Sequence, residues 1–391
     1  MAWSMGLACS SKLVSLQANN AMKTGCSLYL GSGEETNAYV IEYARAAGMD
    51  CAFTSFQIPE ECKLGLQELQ ARALCLLRSC EEASLGLIVD ISPTTLGMLG
   101  LSSIEELDEL GVTCIRLDCG FSDAQVVELS HRFRIAFNAS TTSLSQVRAW
   151  ERAGADLSRF CACHNYYPKP LTGLSTAYVR EVNGSFRLLG VETAAFIPGD
   201  GRAQAPDHGL RGPLYEGLPT IEEHRGQRAQ VVRNALSLFH EAHADRVFVG
   251  DPNLSDAGWD ALSELAAGYI TVPAELVRGF EFLDGVVQRD RSDSSSYVLR
   301  STASRSDKQL SGRLREAVSA LPNDCFGKER TAGSICISSG EYGRYAGELE
   351  IMRQDVPGDR RVAVIGRVCP EYRALIPFLT HGMGARLSLV H

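Results

Sequence analysis

The sequence predicts an α/β fold, a TIM-type (β/α)8 barrel followed by a small all-β domain. Between Ser27 and about residue 270, eight short apolar, β-branched or aromatic runs alternate with longer amphipathic segments, the signature of parallel βαβ units. Eight such repeats in about 245 residues match the size of a closed parallel barrel. After Gly268 the pattern changes to short alternating runs with only brief helical signals. The expected domains are therefore 26–270, the catalytic barrel, and 275–391, the β domain.

The eight runs are 27–30 (SLYL), 51–54 (CAFT), 86–91 (GLIVDI), 113–118 (TCIRLD), 134–138 (RIAFN), 160–165 (FCACHN), 191–197 (VETAAFI) and 246–250 (RVFVG). The clearest helices between them are 36–48, where Tyr39, Val40, Tyr43 and Ala47 share a face, and 63–83, whose leucines recur at three- and four-residue spacing. Start signals mark the others: Ser102 or Ser103, Ser122, Thr142 or Ser143, and Thr220 with Glu223 three residues on, a capping-box pattern. A doubly wound open sheet is the alternative architecture. It is disfavoured because the first strand-to-helix turn holds Gly31 and Gly33 but no third glycine at dinucleotide spacing.

In the second domain, seven runs from GYITVPAELV to ARLSLVH read as strands, and RDRSDSSS and RSDKQLSG read as exposed connections. The short passage around Gly268 implies that the β domain lies on or near the barrel mouth. Arg344, Tyr345, Glu348 and Arg367 are candidate contacts to the site or to a second subunit of a homodimer.

Composition narrows the function. With 45% hydrophobic residues, 22% charged and a net charge of −9, the chain reads as soluble and mildly acidic, and nothing is basic enough to track nucleic acid. No apolar run reaches membrane-spanning length. The Leu-Ala-Cys triplet ending at Cys9 lacks the charged and apolar regions of a leader. Thirteen scattered cysteines inside apolar patterns fit buried reduced thiols, hence a cytoplasmic protein.

Active sites of parallel barrels lie at the C-terminal ends of the strands. Here Asp90, Asp118, Asn138, and His164 with Asn165 end four consecutive runs. Adjacent strands are about 4.8 Å apart, so the Asp90 and Asp118 carboxyls can stand roughly 5–9 Å from one another. That range suits two-carboxylate glycosyl chemistry, in which one acid protonates the leaving oxygen and the other attacks, activates water or stabilises positive charge. A zinc site at Cys161, Cys163 and His164 is disfavoured, because strand alternation sends the thiols to one face and the imidazole to the other. No metal and no cofactor is indicated. Lys169, His224 and Arg225 are the cations near this face, the last two in the first turn expected after Thr220, where a phosphate would meet free backbone N–H groups. The glycine-containing loops at 199–201 and 250–253 are secondary phosphate candidates.

Several segments resemble one family: VDISP at 89–93, GVTCIRLDCGF at 111–121, FNAS at 137–140, CHNYYPKPLTGLS at 163–175, TAAFIPGD at 193–200, GLPTIEEHR at 217–225, and GRYAGELEI and RVAVIGRV near the C-terminus. Together they look like the MupG-like 6-phospho-N-acetylmuramidases. The resemblance implies a TIM-type barrel with a cyclophilin-like β domain. It also implies hydrolysis of a 6-phosphorylated N-acetylmuramic acid to N-acetylglucosamine disaccharide during peptidoglycan recycling. The family's strand-end positions map onto Asp90, Ser92, Asp118, Asn138, His164, Asn165, Tyr167, Glu223, His224 and Arg225. In relatives the first loop tends to read SIYPEHS; here it is SLYLGSGEE, with Glu34 or Glu35 in place of the family glutamate. The expected catalytic pair is Asp90 and Asp118. Ser92, Asn138, His164, Asn165, Tyr167 and Glu223 are expected to bind the sugar, and His224, Arg225 and Lys169 the phosphate. The competing readings are a non-catalytic phosphosugar-binding protein and a barrel of another sugar-phosphate chemistry, such as an aldolase. The latter is disfavoured by the lack of a strand-end lysine.

Overall fold

In the computed structural model, which describes residues 22–57, 65–117, 120–201 and 214–390, eight parallel strands close into a barrel. They are β1 Lys23–Ser27, β2 Cys51–Ser55, β3 Gly86–Ile91, β4 Cys114–Leu117, β5 Arg134–Asn138, β6 Phe160–Cys163, β7 Glu192–Ile197 and β8 Arg246–Val249. Pairing runs in sequence order, and Thr24 opposite Val247 closes the ring. The chain divides into two compact units, of which Met22–Ala266 holds this barrel.

Seven of the eight expected runs fall on their strands; the first is displaced. Its apolar residues Leu28, Tyr29 and Leu30 are buried in the loop after β1, while the strand itself is the weakly patterned Lys23–Ser27. Gly25 explains the weak pattern. A Cβ there would lie 2.4 Å from the Phe248 ring and 2.6 Å from the Cys51 carbonyl, so the barrel interior at this point admits no side chain. Phe53, Cys161, Cys163, Phe196 and Phe248 form one buried interior cluster, and Phe196 stacks on Phe248 with centroids 5.4 Å apart.

The helices follow their expected starts where a side chain caps them. Ser122 accepts from the Gln125 N–H and opens Asp123–Ser130, and Ser143 accepts from the Gln146 N–H and opens Leu144–Arg152. Around Ser102 the direction is reversed: the Ser102 and Ser103 N–H groups donate to Glu106. The long helix expected after Thr220 does not form as one piece. It is broken into Glu222–Arg225, Val231–Leu236 and a π-helical turn Ser237–Glu241. The Thr220 hydroxyl, expected to cap it, instead donates to the Asn165 carbonyl and accepts from the Phe196 N–H, both at 2.9 Å. That hydroxyl fastens the loop to the barrel rim, and Ile221 takes the capping position without a side-chain bond.

From Ala267 the chain forms the second unit around a seven-stranded mixed sheet. Its strands are β9 Tyr269–Leu276, β10 Val287–Arg289, β11 Val298–Arg300, β12 Ser334–Ser338, β13 Leu349–Met352, β14 Val362–Val368 and β15 Gly384–Leu389. Their spatial order is β10-β15-β9-β14-β12-β13-β11, with β9 and β15 parallel and the remaining pairs antiparallel. All seven expected runs are strands. The unit is nonetheless not all β, because RSDKQLSG, read as a connection, opens the helix Lys308–Ser319. Asp307 caps it, accepting from the Gln309 and Leu310 N–H groups, and Leu310, Leu314 and Val318 recur every four residues on its buried face.

Candidate active site

The residues that end β2, β3 and β4 on the interior face share one register: Ser55 pairs with Asp90 and Asp90 with Arg116. Their side chains are bonded in the same order. Asp90 Oδ2 accepts from the Ser55 hydroxyl at 2.8 Å, and Asp90 Oδ1 accepts from Arg116 Nη1 at 2.8 Å. Arg116 Nη2 donates to Asn165 Oδ1, and the Asn165 carbonyl takes the Thr220 hydroxyl described above. A polar chain thus runs along the C-terminal rim from β2 through β3 and β4 to the segment after β6 and the loop after β7. Asp90 is 7% exposed and Arg116 2%, so the pair works in a partly dehydrated setting where its attraction is stronger than in water.

Beneath this chain the barrel is closed by aromatic rings. Tyr166 meets Phe53, Phe196 and Tyr29 edge-on at 6.2, 5.2 and 6.4 Å. The rim therefore places a polar layer of carboxylate, guanidinium, amide and hydroxyl on an aromatic floor, an arrangement suited to a sugar.

Asp118, the second expected carboxylate, lies outside the described residues, as does Cys9. Ser92 holds its own helix: its N–H donates to Thr95 Oγ1 at 3.0 Å at the start of Pro93–Leu99. Asn138 ends β5 and accepts the Ser140 N–H at 3.0 Å. The Ser140 hydroxyl meets His164 Nδ1, also at 3.0 Å. His164 Nε2 stands 3.0 Å from Asn183 Oδ1, on the helix Thr176–Arg187, and Asn183 in turn donates to the Ala242 carbonyl. His164 is thus fully buried in the strand–helix layer, away from the interior cluster that holds Cys161 and Cys163, and burial pushes its pKa down to about 4. Among the described residues no three of His, Cys, Asp or Glu converge as metal ligands, and the described cysteines are unpaired.

The expected phosphate cations are arranged differently from one another. Arg225 is committed to the protein: Nε and Nη2 bind the Glu222 carboxylate at 2.7 and 2.9 Å, Nη1 donates to the Gly217 carbonyl at 2.9 Å, and Nη2 donates to the Tyr167 carbonyl at 2.7 Å. Arg225 in turn holds the Glu222 carboxyl down to about 2. The Tyr167 N–H donates to the Pro219 carbonyl, so Tyr167 is clamped by its backbone while its side chain is half-buried. His224 is buried and, with burial pushing its pKa down to about 4, neutral at pH 7. Lys169 and Glu223 are exposed, as are Glu34 and Glu35. The Gly199 N–H is taken by Asp251 Oδ2 at 2.7 Å and the Gly250 N–H by the Ile197 carbonyl.

Two participants escaped sequence reasoning. Ser55 looks like an ordinary strand residue, and only the register turns it toward Asp90, whereas Arg116 is legible as a partner for a strand-end carboxylate and does pair with Asp90. Asp251 follows VFVG by one residue and satisfies the same strand-end rule that found Asp90; the expected run simply stopped short of it. It is 1% exposed, its Oδ1 has no hydrogen-bond partner among the described residues, and burial pushes its pKa up to about 7.

A closed (β/α)8 barrel with a buried carboxylate–arginine network at its C-terminal rim, followed by a unit built on a mixed sheet, defines the class as a two-unit TIM-barrel protein with an enzyme-like site. Two family profiles match the chain, that of the 6-phospho-N-acetylmuramidase N-terminal region over residues 24–264 and that of its C-terminal region over 280–388. The chain belongs to the 6-phospho-N-acetylmuramidase family, whose name denotes a glycosidase. Among solved structures, it is 30% identical to a conserved Enterococcus faecalis protein of unknown function, over 94% of this chain and 96% of that one, with a TM-score of 0.69. An uncharacterized Bacillus cereus protein shares the fold at 22% identity, over 95% and 99% of the two chains, with a TM-score of 0.68. No curated protein matches.

Proposed function

We propose that this protein hydrolyses the glycosidic bond of a 6-phosphorylated N-acetylmuramic acid to N-acetylglucosamine disaccharide in cytoplasmic peptidoglycan recycling. The observation that carries the reading is that family membership spans both units while Asp90 stands at the barrel rim in a network built to hold a carboxylate in one orientation. No helix among the described residues is long and apolar enough to cross a membrane, which accords with a substrate met in the cytoplasm.

Both Asp90 oxygens accept hydrogen bonds, the posture of a group that stabilises developing positive charge, orients a substrate acetamido group or activates water. Proton donation to the leaving oxygen then falls to Asp118, two residues beyond Arg116 in sequence. Asn165 and Tyr166 offer the sugar an amide and an aromatic edge. Of the cations considered for the phosphate, Lys169 is the exposed one, whereas Arg225 braces the 167–169 segment.

Incubating the protein with 6-phosphorylated and unphosphorylated disaccharides and measuring released monosaccharide tests the proposal. Turnover should be much faster with the phosphate than without it, and Asp90→Asn and Asp118→Asn should each lower it by about two to four orders of magnitude with circular dichroism unchanged. Near-normal turnover in both variants, or no release from any member of the panel, would overturn it.

A further inference from the structure

The C-terminal unit holds four arginines from four separate segments, two of them on the ring of Tyr345. Arg291 follows β10, Arg300 ends β11, Arg305 lies on the short helix Ala303–Ser306, and Arg344 lies in the turn Gly340–Tyr345. Two of them are neutralised locally. Arg291 binds Asp293 through Nε and Nη2 at 2.7 and 3.1 Å. Arg300 binds the 3% exposed Glu348 through Nε and Nη2 at 2.9 and 2.7 Å.

The other two make no hydrogen bond to a carboxylate among the described residues. Arg305 has its guanidinium 5.1 Å from the Tyr345 ring centroid and 4.0 Å from Glu348, and Arg344 lies 4.8 Å from the same ring while donating to the Tyr345 hydroxyl at 2.7 Å. These four guanidinium groups face three carboxylates, Asp293, Glu348 and, opposite Arg300 on β13, Glu350, which leaves a positive surplus on a chain whose net charge is −9. Both are held against a ring that takes none of their charge, and Arg344 is further set by the break in its turn at Gly343, where φ is 58°. Both arginines are exposed, and guanidinium groups held in place at the surface suit bidentate recognition of a phosphoryl oxyanion. A phosphomonoester carries about −1.5 to −2 charges at pH 7, so a positive surplus would attract it.

We propose that Arg305, Arg344 and Tyr345 form an anion site in the C-terminal unit that takes the phosphoryl group of a small phosphomonoester. It is independent of the chemistry assigned to the barrel. Hydrogen–deuterium exchange of the full chain, with inorganic phosphate, N-acetylglucosamine 6-phosphate or N-acetylglucosamine added in turn, reads the site directly. The two phosphorylated probes should slow exchange in peptides covering 301–306 and 340–348 and the third should not. A stronger effect of the phosphosugar than of inorganic phosphate would identify a sugar phosphate as the source, and equal effects the free ion. In R305A/R344A the half-saturating concentration of either phosphorylated probe should rise at least tenfold. In R313A, which removes an arginine stacked on Phe282 at 4.1 Å, it should not change. No protection in the wild-type chain overturns the site whether or not any variant folds; so does protection that survives in the double variant, or one lost equally in R313A.

Discussion

Replacing Asp251 by Asn should reverse the sign of its stability effect between pH 4 and pH 8. In the unfolded chain this carboxyl ionises near 3.8; in the fold, burial holds its proton until about pH 7. Its contribution to stability is therefore complete below pH 3.8 and lost as pH rises to about 7. The gap between the two values corresponds to about 4 kcal/mol. Asn keeps the oxygen that accepts from Gly199 and Leu218 but does not ionise. Its amide would inherit the position of Oδ1, which has no partner among the described residues, at a penalty of about 1–3 kcal/mol. The variant should thus be less stable than the parent by about 1–3 kcal/mol at pH 4 and more stable by about 1–3 kcal/mol at pH 8. In a unit of this size that is a rise in Tm of about 2–10 °C at pH 8.

Two histidines act in the opposite direction. His164 and His224, both pushed from 6.5 to about 4 by burial, lend stability that is present above pH 6.5 and lost toward pH 4, about 3 kcal/mol each. In the parent chain these losses on acidification are partly offset by Asp251. In D251N they stand alone, so its acid limb should be the steeper. Thermal melts followed by circular dichroism in half-unit steps from pH 4 to pH 8 measure both curves. Parallel curves that never cross would refute the reasoning.

Two further outcomes follow from packing. Arg225→Ala removes the clamp on the carbonyls of Tyr167 and Gly217 and leaves Glu222 only the Leu171 and Gly173 N–H groups, so it should destabilise the barrel by about 1–3 kcal/mol. It should also lower kcat/KM by a similar factor on phosphorylated and unphosphorylated substrate; a loss confined to the phosphorylated one would return Arg225 to the phosphate. Gly250→Ala would put a Cβ 2.2 Å from the Leu218 carbonyl, a backbone atom that cannot step aside, so soluble yield and Tm should fall sharply, and a wild-type melt would contradict the packing.

Legibility in the sequence follows the range of the interaction concerned. Period and punctuation are local, so the alternation of strand and helix, the barrel class, and caps such as Ser122 and Ser143 could be read directly. Strand-end placement of Asp90, Asn138 and Asn165 could be read for the same reason, and the family resemblance rested on these short stretches. β1 was misplaced because its strand was weakened by a glycine that only the Phe248 ring across the barrel demands, while the more apolar SLYL was the better local candidate. Thr220 with Glu223 is a sound local cap, yet the hydroxyl found stronger partners on Asn165 and Phe196. Arg225 and His224 illustrate the same limit. A cation's sequence neighbours do not reveal whether it faces a ligand or, like Arg225, six carbonyl and carboxylate oxygens of its own chain. The class of the protein was thus set by local pattern. Which side chains meet, which are dehydrated and which keep a proton at neutral pH were decided by contacts between residues tens to hundreds of positions apart, whose energies depend on distance and burial that only the folded chain defines.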